Sequence, residues 1–178
     1  MKTWIPITVA ALSLAAQAQH SPYAGEERRA IRSLPDEQVR ELLAGHGMGL
    51  AKAAELNGYP GPMHVLEHAD ALALTPPQRE ATQALMAGHR ERARGLGREL
   101  VEAERRLDDA FARRTVDAAA LRTLTGEVGR LQAQLREEHL RTHLEQAALL
   151  DPRQVARYNE LRGYAGAAAH GGAGSHRH

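Results

Sequence analysis

Residues 74–78 read Leu-Thr-Pro-Pro-Gln, and residues 150–154 repeat the pattern as Leu-Asp-Pro-Arg-Gln. In the first copy we expect Thr75 at the N-cap of a helix, with Gln78 three residues after the cap. The threonine hydroxyl can accept a hydrogen bond from the backbone N–H of the glutamine, whose side chain can return one to the N–H of the cap. Aspartate caps a helix as well as threonine, so the second copy predicts the same capping box. The motif positions are Leu74, Thr75, Gln78, Leu150, Asp151 and Gln154.

Two long helices are predicted between these motifs. The first runs from about residue 76 to residue 113, and its apolar or small residues recur at steps of mostly three and four, which places them on one face. The second runs from about residue 118 to residue 149 and carries a regular apolar seam for packing against another helix. The seam consists of Leu121, Leu124, Val128, Leu131 and Leu135. Because residues 114–117 form only a short link, we expect the two helices to be antiparallel neighbours.

Shorter helices flank this hairpin. They are predicted at about residues 35–43, 48–56, 63–72 and 152–163. We therefore divide the chain into an N-terminal extension with short helices at residues 19–58 and a helical hairpin domain at residues 59–164. Residues 165–178 contain mainly Gly, Ala and His, which offer almost nothing to bury, so this tail is predicted to be disordered.

Composition supports an all-α fold and excludes several classes of function. Aromatic residues make up 3% of the 178 residues, while Ala, Leu, Arg and Glu, which favour helices, dominate the middle of the chain. So few aromatics give a thin core, and we expect a homodimer to bury more apolar surface. The absence of cysteine excludes disulfides, thiol nucleophiles and thiolate metal sites.

The first 18 residues have the pattern of a cleavable signal peptide. A positive start at Lys2 precedes an apolar run from Trp4 to Ala16, and Ala16-Gln17-Ala18 supplies the small residues that signal peptidase requires. We expect cleavage after Ala18 and a periplasmic mature chain beginning at Gln19. That chain would be formally neutral, which gives no support for nucleic-acid binding.

An exported, all-helical chain with two such boxes around a long hairpin resembles the LTxxQ-motif family of periplasmic proteins. This family includes Spy, CpxP, the zinc-associated ZraP and the CnrX-like heavy-metal sensors. The resemblance covers about residues 60–164, and Asp151 stands where the family usually has Thr. It implies hairpins that pair into cradle-shaped dimers. The preferred function is then an ATP-independent chaperone for unfolded envelope proteins, with a membrane-bound sensor protein as a further partner.

The alternative function is heavy-metal sensing or metal buffering by paired histidines. His64 and His68, like His139 and His143, are four residues apart, which places each pair on one helix face. Two such imidazoles can bind one metal ion as neutral nitrogen ligands. The long helices return the second pair toward the first, so both pairs are expected at the same end of the hairpin.

The CnrX-like sensors similarly use helical His-x-x-x-His and His-x-x-x-Met pairs. Here His143 stands at the methionine position, which implies loss of a thioether ligand and a preference for zinc or copper over nickel or cobalt. Glu67 and Glu138 are the nearest candidates for a carboxylate ligand.

Less specific interpretations of these residues stay open. The histidine pairs are also consistent with solvated or interfacial side chains, and His139 could simply be the polar residue that ends the apolar seam. The tail histidines, His170, His176 and His178, suit either weak metal binding or a solubilising end. Residues 64–68 fit the His-x-x-Glu-His order of one class of zinc peptidase, but no catalytic domain surrounds them. We expect no enzymatic activity and no required cofactor.

Overall fold

The computed structural model describes residues 22–164, and in that part of the chain every regular element is helical, as predicted. A 3₁₀ turn at Glu26–Arg28 precedes six α-helices. The helices are α1 (Asp36–Ala44), α2 (Lys52–Glu55), α3 (Pro62–Glu67), α4 (Pro76–Ala112), α5 (Ala118–Leu149) and α6 (Pro152–Leu161). Over the described range, no helix is both long and apolar enough to cross a membrane. The predicted signal peptide and the predicted disordered tail lie outside the described residues.

The helix boundaries differ from the prediction mainly in the short helices. Residues 48–51 and 68–73 form turns, so α2 and α3 are shorter than expected. After α3 the chain has to reverse direction to reach Thr75, and Ala73 adopts a left-handed conformation with φ of 48°. A left-handed residue cannot continue a right-handed helix, so no helix can run through residue 73 into α4.

The antiparallel pair of α4 and α5 is covered by α1, and the three helices share one apolar core. Its buried members are Ile31, Leu34, Leu42, Ala93, Leu100, Ala103, Val128, Leu131 and Leu135. The close approach of α1 to α4 requires glycine at residue 97, because a Cβ atom there would lie 2.1 Å from the carbonyl oxygen of Leu42. Since this core includes side chains from residues 31–42, the N-terminal extension contributes to the packing of the hairpin.

The apolar faces of the hairpin are not buried along their full length. Leu121 begins the predicted seam but is 38% exposed, and Phe111 on the facing helix is 54% exposed. Both lie beside the turn between α4 and α5, whereas α1 packs farther along the hairpin, at Gly97. The sequence pattern therefore identified the correct helix faces but overestimated how far the core extends toward the turn.

Both capping boxes are formed. Thr75 Oγ1 accepts from the backbone N–H of Gln78 at 3.3 Å, and Gln78 Oε1 accepts from the N–H of Thr75 at 3.1 Å. Asp151 Oδ1 accepts from the N–H of Gln154 at 2.9 Å, and Gln154 Oε1 accepts from the N–H of Asp151, also at 2.9 Å. These reciprocal bonds satisfy backbone groups that a helix start otherwise leaves unpaired.

The two capping glutamines also pair with each other. Gln78 Nε2 donates to Gln154 Oε1 at 2.8 Å, and Gln154 Nε2 donates to Gln78 Oε1 at 3.0 Å. Their remaining N–H groups donate to backbone carbonyls, Gln78 to Leu149 at 2.9 Å and Gln154 to Leu72 at 3.2 Å. The starts of α4 and α6 are thus joined by one pair of side-chain amides, in which every N–H donates a hydrogen bond.

A second apolar cluster surrounds this amide pair and fixes α3 and α6 against the hairpin. Its buried members are Val65, Leu72, Leu150 and Tyr158, with Leu74, Val155 and Leu161 packed against them. The leucines at the first position of each motif, Leu74 and Leu150, therefore belong to one cluster. Through it, the motifs hold α3 beside the end of the hairpin where α5 terminates.

We predict that Gln78→Ala and Gln154→Ala each lower the free energy of unfolding by about 1–3 kcal/mol, because each leaves the partner amide unpaired. The double variant should lose less than the sum, with a coupling energy of at least about 0.5 kcal/mol. Urea denaturation measures all three. Gln83→Ala, on the exposed face of α4, is the matched control and should change stability by less than about 0.5 kcal/mol. Strictly additive losses would contradict the pairing.

Candidate metal-binding cavity

A cavity of about 540 Å³ lies between the loop that follows α1, the start of α3, and the facing sides of α4 and α5. Five histidines and one carboxylate line it, together with two methionines. These residues are His46, His64, His89, His139, His143, Glu55, Met63 and Met86. Three of the four predicted metal ligands therefore share one cavity, whereas His68 is not among its lining residues.

His143 is held by a hydrogen bond that selects one tautomer of the neutral ring. Its Nδ1 lies 2.8 Å from the carbonyl oxygen of Tyr59, and a carbonyl can only accept, so Nδ1 carries the proton. In the neutral ring, Nε2 then has a free lone pair. The backbone of Gly61 lies against this ring, and a Cβ atom there would come within 3.0 Å of Nε2. Glycine at this position leaves the nitrogen uncovered.

His64 is oriented in the same way by a carboxylate. Its Nδ1 lies 2.7 Å from Oε2 of Glu67, one turn along α3. That hydrogen bond is the main cause of the lowered pKa of Glu67, which is therefore an ionised acceptor. His64 donates through Nδ1, and Nε2 is left as the nitrogen with a lone pair. Glu67, predicted as a possible ligand, instead orients the imidazole.

His89, which belongs to neither predicted histidine pair, is buried at the cavity wall. The Thr142 hydroxyl donates to the carbonyl oxygen of Glu138 at 2.8 Å, so its oxygen accepts from His89 Nδ1 at 3.0 Å. The same Nδ1 lies 3.2 Å from Glu138 Oε1. Burial lowers the pKa of His89, which keeps the ring neutral.

Glu138, the other predicted carboxylate ligand, is already neutralised by arginines. Its side chain is 5% exposed, and it accepts from Arg92 Nε at 3.0 Å and from Arg141. Burial alone would raise its pKa, but hydrogen bonds from His89, Arg92 and Arg141 outweigh burial and lower it. This carboxylate therefore serves to hold α4 and α5 together.

The ring of His139 lies in the protein interior. It packs edge-on against His89 with centroids 4.6 Å apart, and its Nε2 is buried without a hydrogen-bond partner among the described residues. Burial, and secondarily the nearby His89, lowers the pKa of His139 to about 4. The ring therefore stays neutral at physiological pH, with Nε2 unsatisfied.

The carboxylate that the cavity does present is Glu55, from α2. Its side chain is 15% exposed, and Oε2 lies 3.8 Å from Nδ1 of His143. No local spacing in the sequence connects residues 55 and 143, because their proximity depends on how α2 packs against α5. The lone histidines 46 and 89 carried no signal either, since neither has a second histidine one helical turn away.

The arrangement offers imidazoles and one carboxylate, which are ligand types that zinc and copper accept. Met63 and Met86 also line the cavity. The cavity therefore still contains thioether groups, although His143 stands where the CnrX-like sensors have a methionine. Within residues 22–164, no three His, Asp or Glu side chains already stand close enough to hold an ion. Binding would therefore require the lining side chains to rotate inward.

Comparison with known protein families identifies a relationship for this chain. A family described as heavy-metal resistance proteins matches residues 7–157, which span both capping boxes and every lining residue of the cavity. None of the curated proteins and none of the solved structures compared matches the chain.

We predict that the metal-free protein loses stability as pH falls from about 6.5 to about 4. The pKa of His139 is about 6.5 in the unfolded chain and about 4 in the folded protein. Between these values the unfolded state binds more protons, so the free energy of unfolding falls with pH, by up to about 3 kcal/mol for this residue. Denaturation of His139→Gln should show a smaller decline. His68→Gln, outside the cavity, is the control and should retain the native slope; equal slopes for all three proteins would contradict burial of a neutral His139.

Proposed function

The chain belongs to the heavy-metal resistance family, and on that premise we propose that it is an exported, periplasmic protein that senses or buffers a divalent transition metal. The observation that carries this proposal is the shared orientation of His64 and His143. Each is held through Nδ1 by an acceptor behind it, Glu67 or the Tyr59 carbonyl, and each lines the same cavity.

This arrangement matches the outer shell of metal-binding histidines. Such imidazoles usually donate one ring N–H to a carboxylate or a backbone carbonyl, which fixes the tautomer and directs the other nitrogen to the ion. His64 and His143 would supply two nitrogens and Glu55 the carboxylate. The unpaired Nε2 of His139 is a further donor, since a buried polar atom without a partner is costly unless a ligand satisfies it.

The donor set favours zinc or copper. Imidazole binds both metals well, and zinc accepts the mixture of nitrogen and carboxylate ligands that the cavity offers. The bound ion is the signal or cargo in this proposal and performs no chemistry.

We predict that the mature full-length chain binds one zinc ion tightly and that His64→Ala or His143→Ala weakens binding at least about tenfold. Isothermal titration calorimetry provides the measurement, in a background with His170, His176 and His178 replaced by Ala to remove binding by the tail. Affinity should fall as the pH is lowered, because protons compete with the metal for the imidazole nitrogens.

His68→Ala is the matched control for this test, because it belongs to the same i, i+4 pair as His64 but does not line the cavity. It should retain most of the native affinity. Loss of binding only when the tail histidines are replaced would place the site in the tail and refute the cavity.

A second candidate function is ATP-independent chaperone action, favoured by large apolar side chains that the described chain leaves exposed. Phe111 and Leu121 flank the hairpin turn, and Leu144 is 56% exposed on α5. We predict that the mature protein suppresses aggregation of an unfolded test protein without nucleotide, and that replacing Phe111 and Leu121 by Ser reduces this effect. Light scattering provides the readout; no suppression at several-fold molar excess would leave metal binding as the function.

A further inference from the structure

Glu55 belongs to two sets of contacts, one through each carboxylate oxygen. Oε1 accepts from the Tyr158 hydroxyl at 3.0 Å, from Arg162 Nε at 3.1 Å and from the Tyr164 hydroxyl at 3.3 Å. We call these four side chains the C-terminal clasp. Oε2 accepts no hydrogen bond within residues 22–164 and faces the cavity, 3.8 Å from Nδ1 of His143.

The clasp fixes α6 against α2. Tyr158 is fully buried, and besides donating to Glu55 its hydroxyl accepts from the backbone N–H of Gly61 at 3.4 Å. Arg162 supplies the positive charge that compensates the carboxylate, and its side chain is 27% exposed. A charge-assisted set of three donors on one oxygen needs that carboxylate in a single orientation.

Glu55 can therefore be shared between the clasp and an ion without breaking either set of contacts. An ion at the cavity side would attract Oε2, while Oε1 keeps its three donors. Coordination would remove rotamer freedom from Glu55, so the donors of α6 would meet an acceptor that is already fixed in place.

We propose that Glu55 couples metal occupancy of the cavity to the docking of α6, so that each stabilises the other. This coupling rests on the proposed metal-binding function and adds a response to it: the ion tightens the C-terminal helix. Coupling between two equilibria is reciprocal. The factor by which the bound ion raises the equilibrium constant for α6 docking therefore equals the factor by which the clasp raises the metal affinity.

Hydrogen exchange of the full chain, followed by mass spectrometry with and without zinc, tests the first half of this coupling. Zinc should slow exchange of the α6 amides by about fivefold or more. In Glu55→Gln, which keeps the shape but loses the charge, zinc should no longer slow α6 exchange.

Tyr158→Phe tests the reciprocal half, because Tyr158 does not line the cavity and removal of its hydroxyl cannot remove a metal ligand. It should weaken zinc affinity by about the same factor by which zinc protects α6. Tyr164→Phe removes a more peripheral donor and serves if the buried substitution prevents folding; it should have a smaller effect in the same direction.

Glu160→Gln is the matched control, since Glu160 lies on the exposed face of the same helix and, within residues 22–164, forms an ion pair only with Arg157, at 2.8 Å. It should change neither zinc affinity nor zinc-dependent exchange. If zinc binds tightly but leaves α6 exchange unchanged, the coupling is refuted and the proposed function stands. The same conclusion follows if both tyrosine variants keep the native zinc affinity. Failure of the native chain to bind zinc overturns the proposed function and the coupling together.

Discussion

The arrangement of the helices depends on the amide pair between Gln78 and Gln154. Each glutamine closes the capping box of its own helix, and the two side chains then exchange hydrogen bonds of 2.8 and 3.0 Å. Every donor of both amides is satisfied, so replacing either residue leaves polar groups unpaired in a partly buried place. The pair joins the start of α4 to the start of α6, and the surrounding apolar cluster carries α3 with it.

The position of α3 in turn determines the chemistry of the cavity. Its first residues place the Gly61 backbone against His143 and bring His64 to the same cavity wall. The buried carboxylate of Glu138 on α5 pairs with Arg92 of α4 and so holds the two helices together, while His89 and His139 stay neutral. The two carboxylates therefore have different roles. Glu138 is already paired with arginines, whereas Glu55 keeps one oxygen on the side of the cavity.

The sequence predicted those features that depend on local spacing. The helices follow from apolar residues spaced three and four apart, and their caps follow from the motifs at Thr75 and Asp151. Spacing along the helices also selected His64, His139 and His143, which line the cavity. Contacts between distant segments were not predictable: the glutamine pair joins residues 76 apart, and Glu55 meets His143 only through tertiary packing. Spacing also suggested His68 as a ligand, although His68 follows the end of α3 and is not among the residues that line the cavity. The same reasoning overextended the apolar seam to Leu121.

In the proposed function, the helix-start motifs hold together a metal site between α3 and α5. Anomalous diffraction at the zinc edge, from crystals of the full chain grown with zinc, tests this site directly. We predict an ion in the cavity with Nε2 of His64 and Nε2 of His143 each about 2.0–2.1 Å away. Zinc found only at surface histidines or along the tail, with the cavity histidines still bonded as in the metal-free protein, would contradict it.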